Sequence, residues 1–159
     1  MDLKILTTGG TIDKIYFDAK SEFQVGDPHI HEVLAEANVS FSYQVESLMR
    51  KDSLDMDEAD RQLIVAHLLQ EVCPRILITH GTDTMVETAR ALVPVKDKTI
   101  VLTGSMQPGK LRQSDAVFNI GYALAATQIL PPGVYIAMNG RIFDPLITSK
   151  NVKANRFET

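Results

Sequence analysis

The chain has a single cysteine, Cys73, so no internal disulfide can staple it, and a reducing compartment suits it. Positive charge is in deficit. Sixteen Lys and Arg against 20 Asp and Glu leave a net charge of −4, with no basic stripe to meet nucleic-acid phosphates or an anionic membrane surface. No apolar run approaches the roughly 18 residues that a membrane-crossing helix requires. Strand character starts at Leu3, which reads as leaving no room for the charged and apolar regions of a leader. Internal repeats, low-complexity tracts and linkers are also missing. What is present is ordinary globular composition, 45% hydrophobic and 23% charged over 159 residues, enough for one domain with a sizeable core. We expect a soluble, cytoplasmic chain forming one domain over 1–159.

Four short, nearly continuous apolar runs, 3–7, 75–79, 99–103 and 133–138, read as strands buried on both faces. A fifth candidate, 42–48, alternates. Helical patterns lie between them. Segment 57–72 opens with Asp57 and Asp60 and carries Leu63, Ile64, Leu68 and Val72 at helical spacing. Segment 114–128 sets Ala116, Val117, Ile120, Gly121 and Leu124 on one face, behind Ser114 and Asp115 as candidate caps. Shorter helices are expected over 84–92 and 29–37, with Pro28 suited to the first turn of the latter. Strands alternating with helices predict an α/β fold: a single-domain, Rossmann- or flavodoxin-like parallel sheet flanked by helices.

Two segments, TTGGTIDK at 7–14 and HGTDTM at 80–85, each follow a strand-like run. Both place glycine and then threonine on a turn at the carboxyl edge of the sheet, where open α/β sheets bind ligands. Gly9 and Gly10 permit backbone conformations that a Cβ would forbid, so the first turn can bring Thr11 close to a ligand. Taken alone, it also reads as a plain turn with a surface threonine. In the second turn, backbone amides at the start of the following helix attract a carboxylate or a developing oxyanion. Asp83 there also suits an ordinary N-cap, and His80 reads as a packed, hydrogen-bonded residue rather than a base.

Three other patterns are set aside. Gly104 to Lys110 spells the start of a phosphate-binding loop, but Leu111 stands where Ser or Thr would hold magnesium and Pro108 stiffens it. His29 and His31 lack any partner pattern for a catalytic zinc. Cys73, before Pro74, reads as a packing residue. We expect neither metal nor organic cofactor.

Together the two threonine segments resemble the signature motifs of the bacterial-type L-asparaginases, amidohydrolases with threonine nucleophiles. RKDSLDM at 50–56 resembles that family's substrate-holding segment, VLTGSMQP at 101–108 its following loop, and SDAVFN at 114–119 the helix beyond. The resemblance implies an α/β hydrolase that converts L-asparagine to L-aspartate and ammonia. It makes Thr11 the first catalytic threonine and Thr82, Asp83 and Lys150 a second catalytic set. Ser53 and Asp83 then hold the substrate α-carboxylate and α-amine, with Gly10, Asp55, Gly81 and Thr82 completing the binding positions. Without the resemblance, Lys150 reads as a solvated surface charge. Related amide substrates, glutamine or an amide on a larger molecule, and a non-catalytic asparagine- or aspartate-binding domain stand as alternatives.

The departures from the family pattern are specific. SEFQVG at 21–26 has Phe23 where many members carry a loop tyrosine. Tyr16 is the candidate to supply that phenol; the other reading makes it an aromatic packed on Phe17. Leu54 replaces a glutamine that often helps hold the amine. Typical members continue into a smaller C-terminal domain where this sequence stops, so a homodimer or homotetramer is expected to shield the site, with Phe143 and Leu146 as first contact candidates. The alternative is a monomer closed by the loop 14–27.

Overall fold

The structure, a computed structural model, describes residues 2–159. Its main sheet holds β4 (Tyr43–Lys51), β1 (Leu3–Gly9), β5 (Arg75–Thr79), β6 (Thr99–Thr103), β7 (Gly133–Met138) and β8 (Arg141–Phe143), in that spatial order. The first five strands run parallel and β8 pairs antiparallel to β7. Renumbered along the chain, the parallel strands lie in the order 2-1-3-4-5, which is the flavodoxin-like arrangement. Strands β1 and β6 are buried along their whole length, the property that makes their sequences continuously apolar.

Helices cover both faces. α1 (Ile30–Glu36) and α4 (Ala116–Ile129) pack on Leu3, Ile5, Leu77, Val101 and Ala137. α2 (Glu58–Gln70) and α3 (Met85–Leu92) pack on Leu6, Ile76, Ile78, Ile100 and Leu102. Asp57 and Asp60 form a reciprocal capping box at the start of α2. At α4, the Ala116 N–H donates to Ser114 Oγ (3.0 Å). Asp115 instead accepts from the backbone N–H groups of Met106 and Gln107, tying the loop after β6 to the helix.

Several expectations are corrected. On α2 only Ile64 and Leu68 are buried; Leu63 faces outward, and the helix ends at Gln70, leaving Val72 exposed beyond it. The buried face of α4 runs through Ala116, Asn119, Ile120, Ala123 and Leu124, leaving Val117 and Gly121 exposed. Both helices have apolar residues around most of their circumference, so spacing alone cannot select the inward stripe. Strand β4 runs to Lys51 rather than ending at 48, because an edge strand loses apolar signal while its ladder continues. Two antiparallel hairpins, β2 (Lys14–Phe17) with β3 (Glu22–Val25) and β9 (Ser149–Asn151) with β10 (Arg156–Glu158), are additional. Phe143 is buried against Phe157, with ring centroids 6.2 Å apart, which removes it as an oligomer contact. Leu146 is exposed.

Candidate active site

Strands β1 and β5 are neighbours whose onward connections leave in opposite directions, one toward β4 and the other toward β6. The loops beyond their carboxyl ends diverge there and open a crevice. Both glycine–threonine turns lie at this point. Gly10 has φ +88°, and a Cβ on it would stand 2.4 Å from the Gly81 backbone nitrogen. A Cβ on Gly81 would meet Ser53 Cβ and Oγ at 2.6 Å. Three segments, after β1, β4 and β5, therefore meet through two bare backbones. Thr11 follows the first glycine and Thr82 the second.

Thr11 opens a short 3-10 turn, Thr11–Asp13, and is the half-exposed member between buried neighbours, Gly10 and Ile12. Its hydroxyl takes part in no hydrogen bond among the described residues, which leaves it free for a ligand. Thr82 is buried, and Lys150 Nζ donates to its Oγ1 (2.8 Å) and to Asp83 Oδ1 (2.7 Å). Asp83 does not cap α3. Thr84 occupies the N-cap, and its hydroxyl donates to Ser53 O (2.8 Å), leaving the Asp83 carboxylate to Lys150.

Lys150 reaches this place because β9–β10 is anchored behind it. Phe157 is buried in the core beneath α3, and its N–H donates to Asn139 Oδ1 (2.9 Å). From α3, Arg90 donates to Pro145 O (2.8 Å) and Thr148 O (3.2 Å), fixing the approach to β9. The Lys150 side chain is 13% exposed; it is neither solvated nor sealed.

His80 is a positioning group, in line with its expected packed role. Gly81 O lies 2.7 Å from Nδ1 and Thr88 Oγ1 2.8 Å from Nε2. Complete burial pushes its pKa down to about 4, so the ring is neutral at pH 7. A neutral ring can donate from Nδ1 to Gly81 O and accept from Thr88, which rigidifies the turn before Thr82.

Ser53 is buried beside Gly81, and its Oγ has no hydrogen-bond partner among the described residues. Such a hydroxyl suits a ligand oxygen. Asp55 is exposed and makes no side-chain hydrogen bond among the described residues, so the structure does not join it to the Thr82 set. Leu54 is exposed. Tyr16 is about half exposed and stacks edge-on against Phe23, with centroids 5.4 Å apart. Its aromatic partner is therefore Phe23 rather than Phe17, and no hydrogen bond joins it to Thr11.

Residues that motif reading missed complete the surroundings. Asp13 is 3% exposed, and its Oδ1 accepts the His29 N–H (2.8 Å). Burial pushes its carboxyl up to about 7, against the opposing pull of that hydrogen bond and of Arg50. Lys14 Nζ lies 2.6 Å from Asp52 Oδ2 and holds that carboxyl below its ordinary range, with a smaller contribution from Lys150. The available signals were an acid in the turn TIDK and the alternating RFE near residue 157. No group of three or more His, Cys, Asp or Glu side chains suited to a metal occurs among the described residues.

Residues 2–159 match the family model described as "Asparaginase, N-terminal". L-asparaginase 2 of Escherichia coli is 32% identical over 155 residues, covering 90% of this chain and 44% of that protein. A glutaminase-asparaginase of Pseudomonas aeruginosa is 40% identical over 91 residues, covering 53% of this chain and 25% of that protein. The thermostable L-asparaginase from Thermococcus kodakarensis superposes with a TM-score of 0.85 at 28% identity, over 100% of this chain and 51% of that one. The chain thus spans less than half the length of these two curated relatives and about half of the solved one.

Proposed function

The chain belongs to the asparaginase family, and from that premise we propose that its switch-point crevice hydrolyses the side-chain amide of L-asparagine to L-aspartate and ammonia. The observation that carries the reading is the Lys150–Thr82–Asp83 constellation, brought together across 68 residues of sequence beside the Thr11 turn. A structural ion pair needs no threonine hydroxyl at 2.8 Å from its ammonium. A proton relay does.

In the proposed reaction, Thr11 Oγ1 attacks the carboxamide carbon. The new C–O bond replaces the C–N bond, the proton lost by the Thr11 hydroxyl ends on the amide nitrogen, and ammonia leaves. Water then adds to the acyl ester, and cleavage of the C–O bond returns the Thr11 hydroxyl and releases aspartate. Thr82, Lys150 and Asp83 activate water in the second step, and backbone amides beyond Gly81 hold the oxyanion. Ser53 and Asp83 clamp the α-carboxylate and α-amine, which supplies the positioning that gives effective molarity. Tyr16 is the proposed phenol on the hairpin: it is the cross-strand partner of Phe23, so its ring lies on the same hairpin face as the position of the family tyrosine.

Ammonia release from L-asparagine, compared with L-glutamine, tests this reading. Glutamine is the second substrate to try, since the Pseudomonas aeruginosa relative is named glutaminase-asparaginase. Aspartate binding without any ammonia release supports a binding domain instead. A homodimer or homotetramer belongs to the same proposal, and sedimentation over a wide concentration range checks it.

A further inference from the structure

The turn that carries Thr11 is fixed at several points, and two of them are made by Asp13. Gly10 is pressed against Gly81, Ile12 is buried, and the Gly109 N–H donates to Ile12 O (3.0 Å). Asp13 makes two further ties. Its backbone oxygen accepts the Gly26 N–H (2.7 Å) and its carboxylate accepts the His29 N–H (2.8 Å). Both donors lie at the far end of the β2–β3 hairpin, so one residue closes that hairpin at its base and joins it to the start of α1.

A buried carboxylate is an expensive choice for a structural tie, because desolvation disfavours its charge. Two ion pairs strap the same hairpin base: the partly buried Lys14 with Asp52 (2.6 Å) and the exposed Asp27 with Arg50 (2.8 Å). The Asp27–Arg50 pair sits where water screens it, and an exposed pair contributes little. The carboxylate at position 13 is buried, two residues after Thr11 in the same 3-10 turn. We infer that Asp13 is a positioning residue for the Thr11 hydroxyl, holding the turn through the His29 and Gly26 amides while it closes the hairpin over the crevice. This inference rests on the proposed role of Thr11 as nucleophile.

The groups that face Asp13 are Arg50 on β4, itself paired with Asp27, and His29, whose ring nitrogen lies 3.2 Å from a Glu32 oxygen. Lys110 reaches the same Glu32 at 3.0 Å. Burial holds the Asp13 carboxyl up at about 7, and both of its protonation states keep an oxygen that can accept the His29 N–H, so the tie survives titration.

The test uses the full chain, wild type, Asp13→Ala and Asp13→Asn, with two independent readouts. Amide hydrogen exchange at Gly10–Asp13, Gly26 and His29 reports the ties directly. Steady-state ammonia release from asparagine reports the consequence. Asp13→Ala is expected to accelerate exchange at those amides and to lower kcat at least ~10-fold with a smaller change in KM. Asp13→Asn keeps an oxygen for the His29 N–H, so it is expected to recover most of the lost rate. Accelerated exchange with unchanged kcat in Asp13→Ala overturns the inference. A wild-type protein that releases no ammonia contradicts the hydrolase reading instead, and exchange then decides: unchanged protection in Asp13→Ala overturns the positioning role as well. If Asp13→Ala does not fold, Asp13→Asn carries the test: kcat and amide protection that move together support the inference, and either one moving without the other overturns it.

Discussion

Lys150 Nζ sits 2.8 Å from Thr82 Oγ1 and 2.7 Å from Asp83 Oδ1, so a hairpin near residue 150 completes a turn near residue 82. The consequence is a dependence that a surface lysine does not have. Lys150→Met keeps the length and the apolar stem but removes the charge and the donors. It is expected to lower turnover by on the order of 10³-fold while leaving aspartate binding intact. Retention of more than about a tenth of the activity returns Lys150 to a structural ion pair of small worth.

The threonines at the two turns are expected to behave as one unit. Thr11→Val and Thr82→Val should each cost on the order of 10³-fold or more in turnover, and the double variant should lose far less than the product of the two. Circular dichroism and melting temperature check that the fold survives. Multiplicative losses contradict a shared mechanism.

Backbone approach at the crevice makes a third expectation. Gly10→Ala places a methyl group 2.4 Å from the Gly81 nitrogen, on a residue at φ +88°. The conformation alone costs on the order of 1–3 kcal/mol, and the overlap must also displace the Gly81 turn. Gly121→Ala is the control. Nothing lies within 4 Å of its Cβ position on α4, and the change should stabilise by about 0.5–1 kcal/mol. Urea midpoints moving in the same direction for both variants contradict the account.

How much of this was legible in the sequence follows from what each residue packs against. Strands β1, β5, β6 and β7 are read from composition because burial on both faces forces continuous apolar runs. The motif glycines gave the location of the crevice, and the resemblance gave Lys150. Motif spacing could not reveal the anchors, since Phe157, Arg90 and Asp13 act through tertiary contacts 18 to 58 residues away along the chain, or across a hairpin closure. Phe143 was misplaced on the surface for the same reason. A three-residue edge strand turns its ring inward onto Phe157, and nothing in GRIFDPL signals the direction.

Acid dependence of stability separates two buried groups of opposite sign. Asp13 has its carboxyl raised to about 7 in the folded protein. Between there and its ordinary range the folded state binds the proton first, so stability rises as pH falls, by at most about 4 kcal/mol at about 1.36 kcal/mol per pH unit. His80, lowered to about 4, does the reverse: the unfolded state takes the proton first, and stability is lost from about 6.5 downward, by at most about 3 kcal/mol. The two nearly offset between pH 6.5 and 4.5. Wild-type urea midpoints should therefore change little over that window, while those of Asp13→Asn should fall steadily with acidification. Parallel curves for the two proteins contradict the burial-driven shift at Asp13.

The most direct test of the central claim is ammonia release by the purified 159-residue chain on L-asparagine, run beside Thr11→Val and Lys150→Met. The account predicts turnover by the wild-type chain that collapses by on the order of 10³-fold in both variants. Turnover that survives either substitution, or a folded wild-type chain that binds asparagine and releases no ammonia, contradicts it.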